Sequence, residues 1–425
     1  MKLFEKRVLA LALSLAVSAP AFATNGMFMI GYGVKSVGMG GIAIAFPQDA
    51  LAGATNPAGI GAIGTRFDAE ATLFLPNAQA TLGGVNSKSR ANEFLIPGLG
   101  FAMPVDNETT FGFSMVGAGG GGTHYKQNLY DINVNSGGAQ TSGDLGVDLM
   151  VMQMNPTIAQ KLTPNQIVGG SLVMGLQRFK AFGLTAFTNF TGSNSNSSMT
   201  DRGVEYSRGM GLRLGWLGTF LDSRLTLGLT GTTKIFMTKF QNYSELFAEH
   251  GDLDTPANVG AGLALKATPK LTFAMDITRT YYSKVNAIGN PGPNTFQANL
   301  FPDSKAVNAL GEDKGLGFGW RDQTVYKFGV NYGYNSKWTY RAGWNYGKSP
   351  IKEEREIAVN IVAPANTQHH ATLGGTYKVN KEMEFSFAYM HAFAFSQSGP
   401  TYVGTTGTIK MSQNSFGAAL GFAFY

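Results

Sequence analysis

Few residues of this 425-residue chain have the types and spacing that chemistry needs. Its histidines are His124, His250, His369, His370 and His391, and none lies in a nucleophile motif such as Gly-x-Ser-x-Gly. Hydrolysis by a histidine with a serine or aspartate partner needs such an arrangement. His369 and His370 are adjacent at the start of an extended stretch, where successive side chains point to opposite faces, so they make a poor chelate or catalytic pair. Cysteine is absent, which removes disulfides, thiolate metal sites and lipidation at a cysteine. The glycine run at 117–122 lacks the following Lys-Ser/Thr of a phosphate-binding loop. We therefore expect no catalytic residue, metal or cofactor. What remains is binding chemistry. Arg213, Lys327 and Arg341, with Lys266 near a strand end, could hold a carboxylate in a partly dry site, or could pair with Asp276 and Asp322. Asp148, Met150, Met152 and Met154 alternate with Val147, Leu149 and Val151, so a strand here is apolar on both faces. Methionine adapts to irregular apolar partners and suits either ligand contact or packing.

Such residues need a scaffold, and composition points to its class. Lys2, Lys6 and Arg7 precede an apolar run at 8–17 and the small-x-small step Ala21-Phe22-Ala23, which together read as a secretory signal peptide over residues 1–23. The run is far shorter than the roughly 20 residues that a membrane helix needs, and no later segment reaches that length. Glycine supplies 56 residues and aromatics 12%, while charged residues are only 14%; soluble proteins carry about a quarter. An exported, glycine-rich, aromatic chain without a hydrophobic helix fits an outer-membrane β-barrel. Without the leader, 30 basic and 26 acidic residues remain. That surplus suits anionic lipid headgroups and is too small to indicate nucleic acid.

From Arg66 onward, alternating segments come in pairs. Short polar turns fall at 105–108, 163–165, 222–223, 268–270, 335–336 and 379–381, and longer loops at 85–91, 120–145, 183–203, 241–255, 285–321, 350–366 and 397–407. Short turns on one side and long loops on the other give a 14-stranded antiparallel transmembrane barrel, all-β, over residues 65–425. Leu225, Leu227 and Leu229 share one face, as do Trp338, Tyr340, Trp344 and Tyr346, and these should meet lipid. Thr339, Arg341, Gly343 and Asn345 then face the lumen. Trp216, Tyr332, Tyr334, Trp338, Phe393 and Phe395 fall near strand ends, where interfacial girdles sit. A soluble sandwich would bury its aromatics and expose more charge. The C-terminal aromatics Phe422 and Phe424 are one residue out of phase with Tyr425. A barrel this wide stays open unless filled. Residues 24–64, small, apolar and broken by Pro57, suit a plug or hatch better than a polar periplasmic tail.

The chain resembles the FadL/TodX family of outer-membrane transporters for hydrophobic compounds. The resemblance rests on GMGGIA at 38–43, which includes Gly40 and Gly41, then Asp49-Ala50 and Asn56-Pro57-Ala58. It continues through NPTIA at 155–159, Trp320-Arg321-Asp322, WTYRAGW at 338–344, Ser349-Pro350 and Tyr389-Met390-His391. It implies a monomeric barrel plugged by an N-terminal hatch, with the Asn-Pro-Ala step contacting the wall and helping control opening. It also implies lateral release to the bilayer at an inward kink of the third strand, read here as 109–119 and running into Gly117, Gly119 and Gly120. Glycine within a strand marks such a bend, although glycine clusters also open loops. The function implied is passive uptake of hydrophobic molecules, long-chain fatty acids or aromatic hydrocarbons, across the bacterial outer membrane. Its partners would be the hydrophobic solute, outer-membrane lipid and lipopolysaccharide, and the barrel-assembly machinery. Two other readings are a surface adhesin or receptor and a polar-solute porin.

Overall fold

The computed structural model describes residues 25–132, 140–191, 197–292, 309–352, 354–401 and 405–424. The signal-peptide reading and the phase of Tyr425 lie outside the described residues. Among these residues fourteen long strands form one antiparallel sheet: β1 (Thr65–Leu82), β2 (Phe94–Pro104), β3 (Thr109–Ile132), β4 (Gln140–Thr163), β5 (Gln166–Phe182), β6 (Glu205–Phe220) and β7 (Leu225–Thr232) come first. They are followed by β8 (Asn258–Thr268), β9 (Leu271–Thr280), β10 (Gln323–Gly333), β11 (Trp338–Gly347), β12 (His369–Lys378), β13 (Met383–Pro400) and β14 (Thr406–Phe424). β14 pairs with β1 from Phe424 opposite Thr65 to Gly407 opposite Leu82, and the sheet closes on itself. Closure removes the free edges of the sheet, so strand backbones are paired without water, as the bilayer interior demands.

Alternation sorts the side chains as a barrel requires. Leu214, Leu229, Ile277, Tyr326 and Trp344 are exposed on the outer wall, while Asp276, Lys327, Arg341 and Asn345 are buried on the inner one. The short turns survive as read. The glycine run does not open a loop, however: β3 continues to Ile132 and β4 begins at Gln140. Gly119 through Gly122 each oppose a β4 residue, from Val151 to Asp148, so the ladder carries the strand through residues that favour loops locally.

The lumen is filled by the residues before β1. They form one α-helical turn (Val34–Val37) and two 3₁₀ segments (Ala50–Ala54 and Pro57–Ala62). Such short pieces cannot hold themselves together, because helix nucleation is costly. Burial supplies the driving force. Met39, Ile42, Ile44, Leu51 and Ile60 are at most 1% exposed, and burying each such side chain contributes about 1.5–3 kcal/mol. Wall acids fix the orientation. Glu70 accepts the Val34 N–H at 2.6 Å and Asp68 accepts the Ala50 N–H at 2.8 Å, each at the first residue of a hatch segment. Arg66 pairs with Asp68 at 2.6 Å and with Glu384 at 2.7 Å, and Lys35 of the hatch completes the cluster on Glu384. Pairing offsets the cost of burying these charges.

Candidate functional site

The hatch and the wall meet most closely at the third strand. The β2–β3 ladder runs from Pro104 opposite Thr110 to Gly98 opposite Val116, and stops there. The β1–β2 ladder goes on to Phe94, so 94–97 are paired to β1 and not to β3. β3 has turned inward at a bulge between Gly117 and Gly119. Its freed edge is taken by the start of the hatch: Met29 donates its N–H to Ala118 O at 3.2 Å, and Gly120 donates to Met27 O at 2.8 Å. A side chain at 119 would place its Cβ 2.0 Å from Met27 O, so only glycine permits this approach. Residues 25–29 thus act as an arm that closes a gap between β2 and β3. Met29, Phe74, Phe94 and Ile96 pack in that gap, with Tyr32 and Met150 against them. Burial lifts the Tyr32 phenol to about 12, so it stays a neutral donor, 3.3 Å from Ala118 O.

An apolar cavity lies directly behind the kink. It encloses about 50 Å³ and is lined by Met27, Val147, Leu149, Phe179, Phe318 and Trp320 among others, none of them charged. A second cavity of about 30 Å³, which Phe74, Met411 and Gln413 help to line, shares Gly120, Gly121, Trp320 and Ala363 with the first. Both are smaller than the usual small-molecule site, about 300–1,000 Å³, so a solute must part the lining side chains to enter. Tyr282, from the loop after β9, joins the parts: its hydroxyl donates to Asn25 O at 2.8 Å and accepts the Met27 N–H at 3.1 Å. Its ring stands edge-on to Trp320 at 5.2 Å. Whatever fills the cavity therefore touches the arm, the kink and the outer loops together.

The Asn-Pro-Ala step anchors the other end of the hatch. Asn56 is fully buried. Its side-chain amide donates to Ile44 O at 2.7 Å and to Trp216 O on β6 at 3.1 Å, and its oxygen accepts the Ala58 N–H at 3.1 Å. Pro57 occupies the first position of the 3₁₀ segment, where its missing N–H costs nothing. A Cβ at Gly215 would lie 1.9 Å from the Asn56 oxygen, so the wall is glycine where the step touches it. Gly40 and Gly41 both have positive φ. Gly40 donates to Thr372 Oγ1 at 2.8 Å, and Gly41 O accepts from Lys327 Nζ at 3.0 Å. At the base, burial and the neighbouring Asp68 push the Asp49 carboxyl up to about 6, and burial lowers Lys35 from its usual value.

The three cations expected to offer themselves to a carboxylate are engaged elsewhere. Lys327 donates to Ile30 O at 2.8 Å as well as to Gly41 O. Arg341 donates to Gln48 at 2.6 Å and to Thr376 at 2.8 Å. Arg213 donates to Thr232 at 2.8 Å, Asn155 at 3.2 Å and Gln153 at 3.1 Å. None forms an ion pair with Asp276 or Asp322. Asp276 instead accepts the Ala43 and Ile44 N–H groups of the hatch, and Asp322 pairs with Arg279 at 3.3 Å. The methionine row is also not where a ligand-contact reading would put it. Gln153 and Asn155 meet Arg213 inside the barrel, which fixes the phase of β4, so Val147, Leu149 and Val151 face the lumen. Met150, Met152 and Met154 share the outer face with exposed Ile158. Sequence reasoning missed the arm and Tyr282. Trp320 was the one signal, singled out as part of a motif.

A model of the family described as outer membrane protein transport protein (OMPP1/FadL/TodX) matches residues 10–424. Among solved structures, the toluene transporter TodX of Pseudomonas putida is 19% identical, with 93% of this chain and 99% of that one covered and a TM-score of 0.70. The toluene transporter TbuX of Ralstonia pickettii is 18% identical over 93% and 99% of the two chains, with a TM-score of 0.65. A FadL homologue of Pseudomonas aeruginosa is 15% identical over 94% and 100%, with a TM-score of 0.66. Among curated protein sequences none matches. A closed fourteen-stranded barrel with a hatch in its lumen, matched by one family model over nearly its whole length, places this chain in the OMPP1/FadL/TodX family of outer membrane transport proteins.

Proposed function

We propose that this barrel takes up small, uncharged hydrophobic solutes, aromatic hydrocarbons foremost, and releases them sideways between β2 and β3. The observation that carries the choice is the cavity behind the kink: its lining is wholly apolar and rich in aromatic rings, and it offers a carboxylate no cation. Arg213, Lys327 and Arg341 hold carbonyls, amides and hydroxyls of hatch and wall, so a fatty-acid head would have to break the plug to reach them. The toluene transporters that share the fold support the same class of solute. An apolar solute gains on leaving water for the cavity, about 25 cal/mol for each Å² of apolar surface removed from water, and keeps that gain on passing from cavity to lipid, so no energy source is needed. In this reading residues 1–23 are an export signal, 24–64 the hatch and 65–425 a monomeric barrel inserted by the assembly machinery, and the protein carries no catalytic activity.

The test is uptake of labelled toluene and labelled oleate by cells lacking their own carriers, comparing the parent with Leu149→Asp at equal surface expression. Toluene uptake by the parent that collapses in the variant, with little oleate uptake by either, is the expected result. Oleate uptake that survives Leu149→Asp but falls in Arg213→Gln would overturn the choice of solute.

A further inference from the structure

We propose that the outer wall beside the lateral gap holds one lipopolysaccharide molecule, its lipid A phosphate on the cations at the top of β5 and β6 and its acyl chains on a field of methionines. The strand register assembles the field. Met115 on β3 opposes Met154 on β4, Met154 opposes Met174 on β5, and Met174 opposes Met210 on β6, so four methionines stand abreast on the lipid face. Above them Met152 opposes Leu176, and above that Met150 opposes Arg178. Elsewhere the exposed face is built mainly of Leu, Ile, Val, Phe, Tyr and Trp, side chains with fewer rotatable bonds, and Met103 and Met275 stand there singly. A methionine field conforms to whatever lies against it.

The surface changes character one step higher, toward the outer loops. Arg178, Lys180 and Arg208 point outward where the apolar band ends, and a notch of about 490 Å³ opens there between His124, Asp148, Lys180 and Phe182. The acids in this notch are already matched. Asp148 pairs with Arg178 at 2.6 Å, and Asp144 pairs with His124 at 2.6 Å and Lys126 at 2.9 Å. Lys180 lies over the Phe182 ring at 5.4 Å and, among the described residues, forms no ion pair. Arg208 also forms none, and it is exposed. Cations without partners at the headgroup level, above a deformable apolar field, complement a phosphorylated lipid with several chains. This end of the barrel carries the long loops and so faces outward, where lipid A supplies such phosphates. Met150 packs against the Met29 and Ile96 cluster that fills the gap. A lipid seated here would border the exit from the cavity.

Native mass spectrometry of the full-length protein in detergent tests the proposal, with bisphosphorylated hexa-acyl lipid A, the same lipid stripped of phosphate, and dioleoylphosphatidylglycerol as probes. The expected result is one bisphosphorylated lipid A retained per barrel, about tenfold weaker retention by Lys180→Gln/Arg208→Gln, and poor retention of the other two probes by both proteins. Equal retention of the dephosphorylated lipid by the parent would overturn the phosphate contact, and that comparison needs no variant to fold. Equal retention of phosphatidylglycerol would reduce the surface to general anion attraction. Undiminished binding of lipid A by the double variant would place it elsewhere.

Discussion

Replacing Asn56 by alanine should loosen the hatch while leaving the barrel closed. The side chain makes three hydrogen bonds, to Ile44 O, Trp216 O and the Ala58 N–H, at 2.7, 3.1 and 3.1 Å. Each contributes about 1 kcal/mol net. Two of them tie parts of the hatch to one another and the third ties it to β6, and alanine leaves all three backbone groups buried without this partner. A loss of about 3 kcal/mol follows, which raises the population of unseated hatch about a hundredfold. Hydrogen exchange read by mass spectrometry would show it: peptides over 50–64 should exchange about a hundredfold faster, while β-strand peptides keep the parent's protection. Asn56→Asp keeps the acceptor for Ala58 and loses both donors, so it should fall close to alanine. Unchanged exchange over 50–64 in the alanine variant would refute the account. So would β-strand peptides that speed up in parallel, since hatch and barrel would then be one cooperative unit.

Gly119→Val should unseat the arm, because the added Cβ cannot share space with Met27 O at 2.0 Å. The expected outcome is faster hydrogen exchange over 25–30 with the protection of 50–64 unchanged, and exchange equal to the parent's would show that the arm stays seated. Asp49 should make hatch seating dependent on pH. Its carboxyl is raised to about 6 by burial and by Asp68, so the seated state binds the proton more tightly than the unseated one. The stabilisation is complete in acid and is lost as pH rises from about 4 through about 6, an effect on the order of 3 kcal/mol. Lys35, Arg66 and Arg341 face the same group and oppose the rise without cancelling it. Hatch exchange corrected for intrinsic rate should therefore quicken between pH 5 and pH 7 in the parent and stay flat in Asp49→Asn.

The barrel was legible because its signal is repeated: each hairpin restates the two-residue alternation and the short turn, so errors at single strand ends do not alter the count. Lumen orientation was legible for Arg213, Lys327 and Arg341 for the same reason. Their partners were not, because hydrogen bonds to hatch carbonyls leave no trace in residue type. β4 shows the limit plainly. With methionine on one face and valine and leucine on the other, alternation alone cannot tell lumen from lipid, and the phase is set by Gln153 and Asn155 meeting Arg213 from another strand. The run at 117–122 failed locally as well, since glycine weakens a strand whose ladder partners alone decide that it continues. The arm at 25–29 carries no periodicity at all; it is a tight turn closed by Asn25 and Phe28, held in place because β3 offers it an edge.

The two ends of the hatch are fastened in different mechanical senses. The arm is held by the Tyr282 hydroxyl and a short run of backbone bonds along one edge, and a load applied at residue 25 would part them one after another at low force. The remainder is tied to opposite sides of the barrel at once, through Glu70 on β1, Trp216 on β6, Asp276 on β9, Lys327 on β10, Thr372 on β12 and Glu384 on β13. Those ties share a load and must fail together. A pull on residue 25 should thus give a small early extension followed by a single large rip, and within that early extension the exit stands open with the bore still blocked.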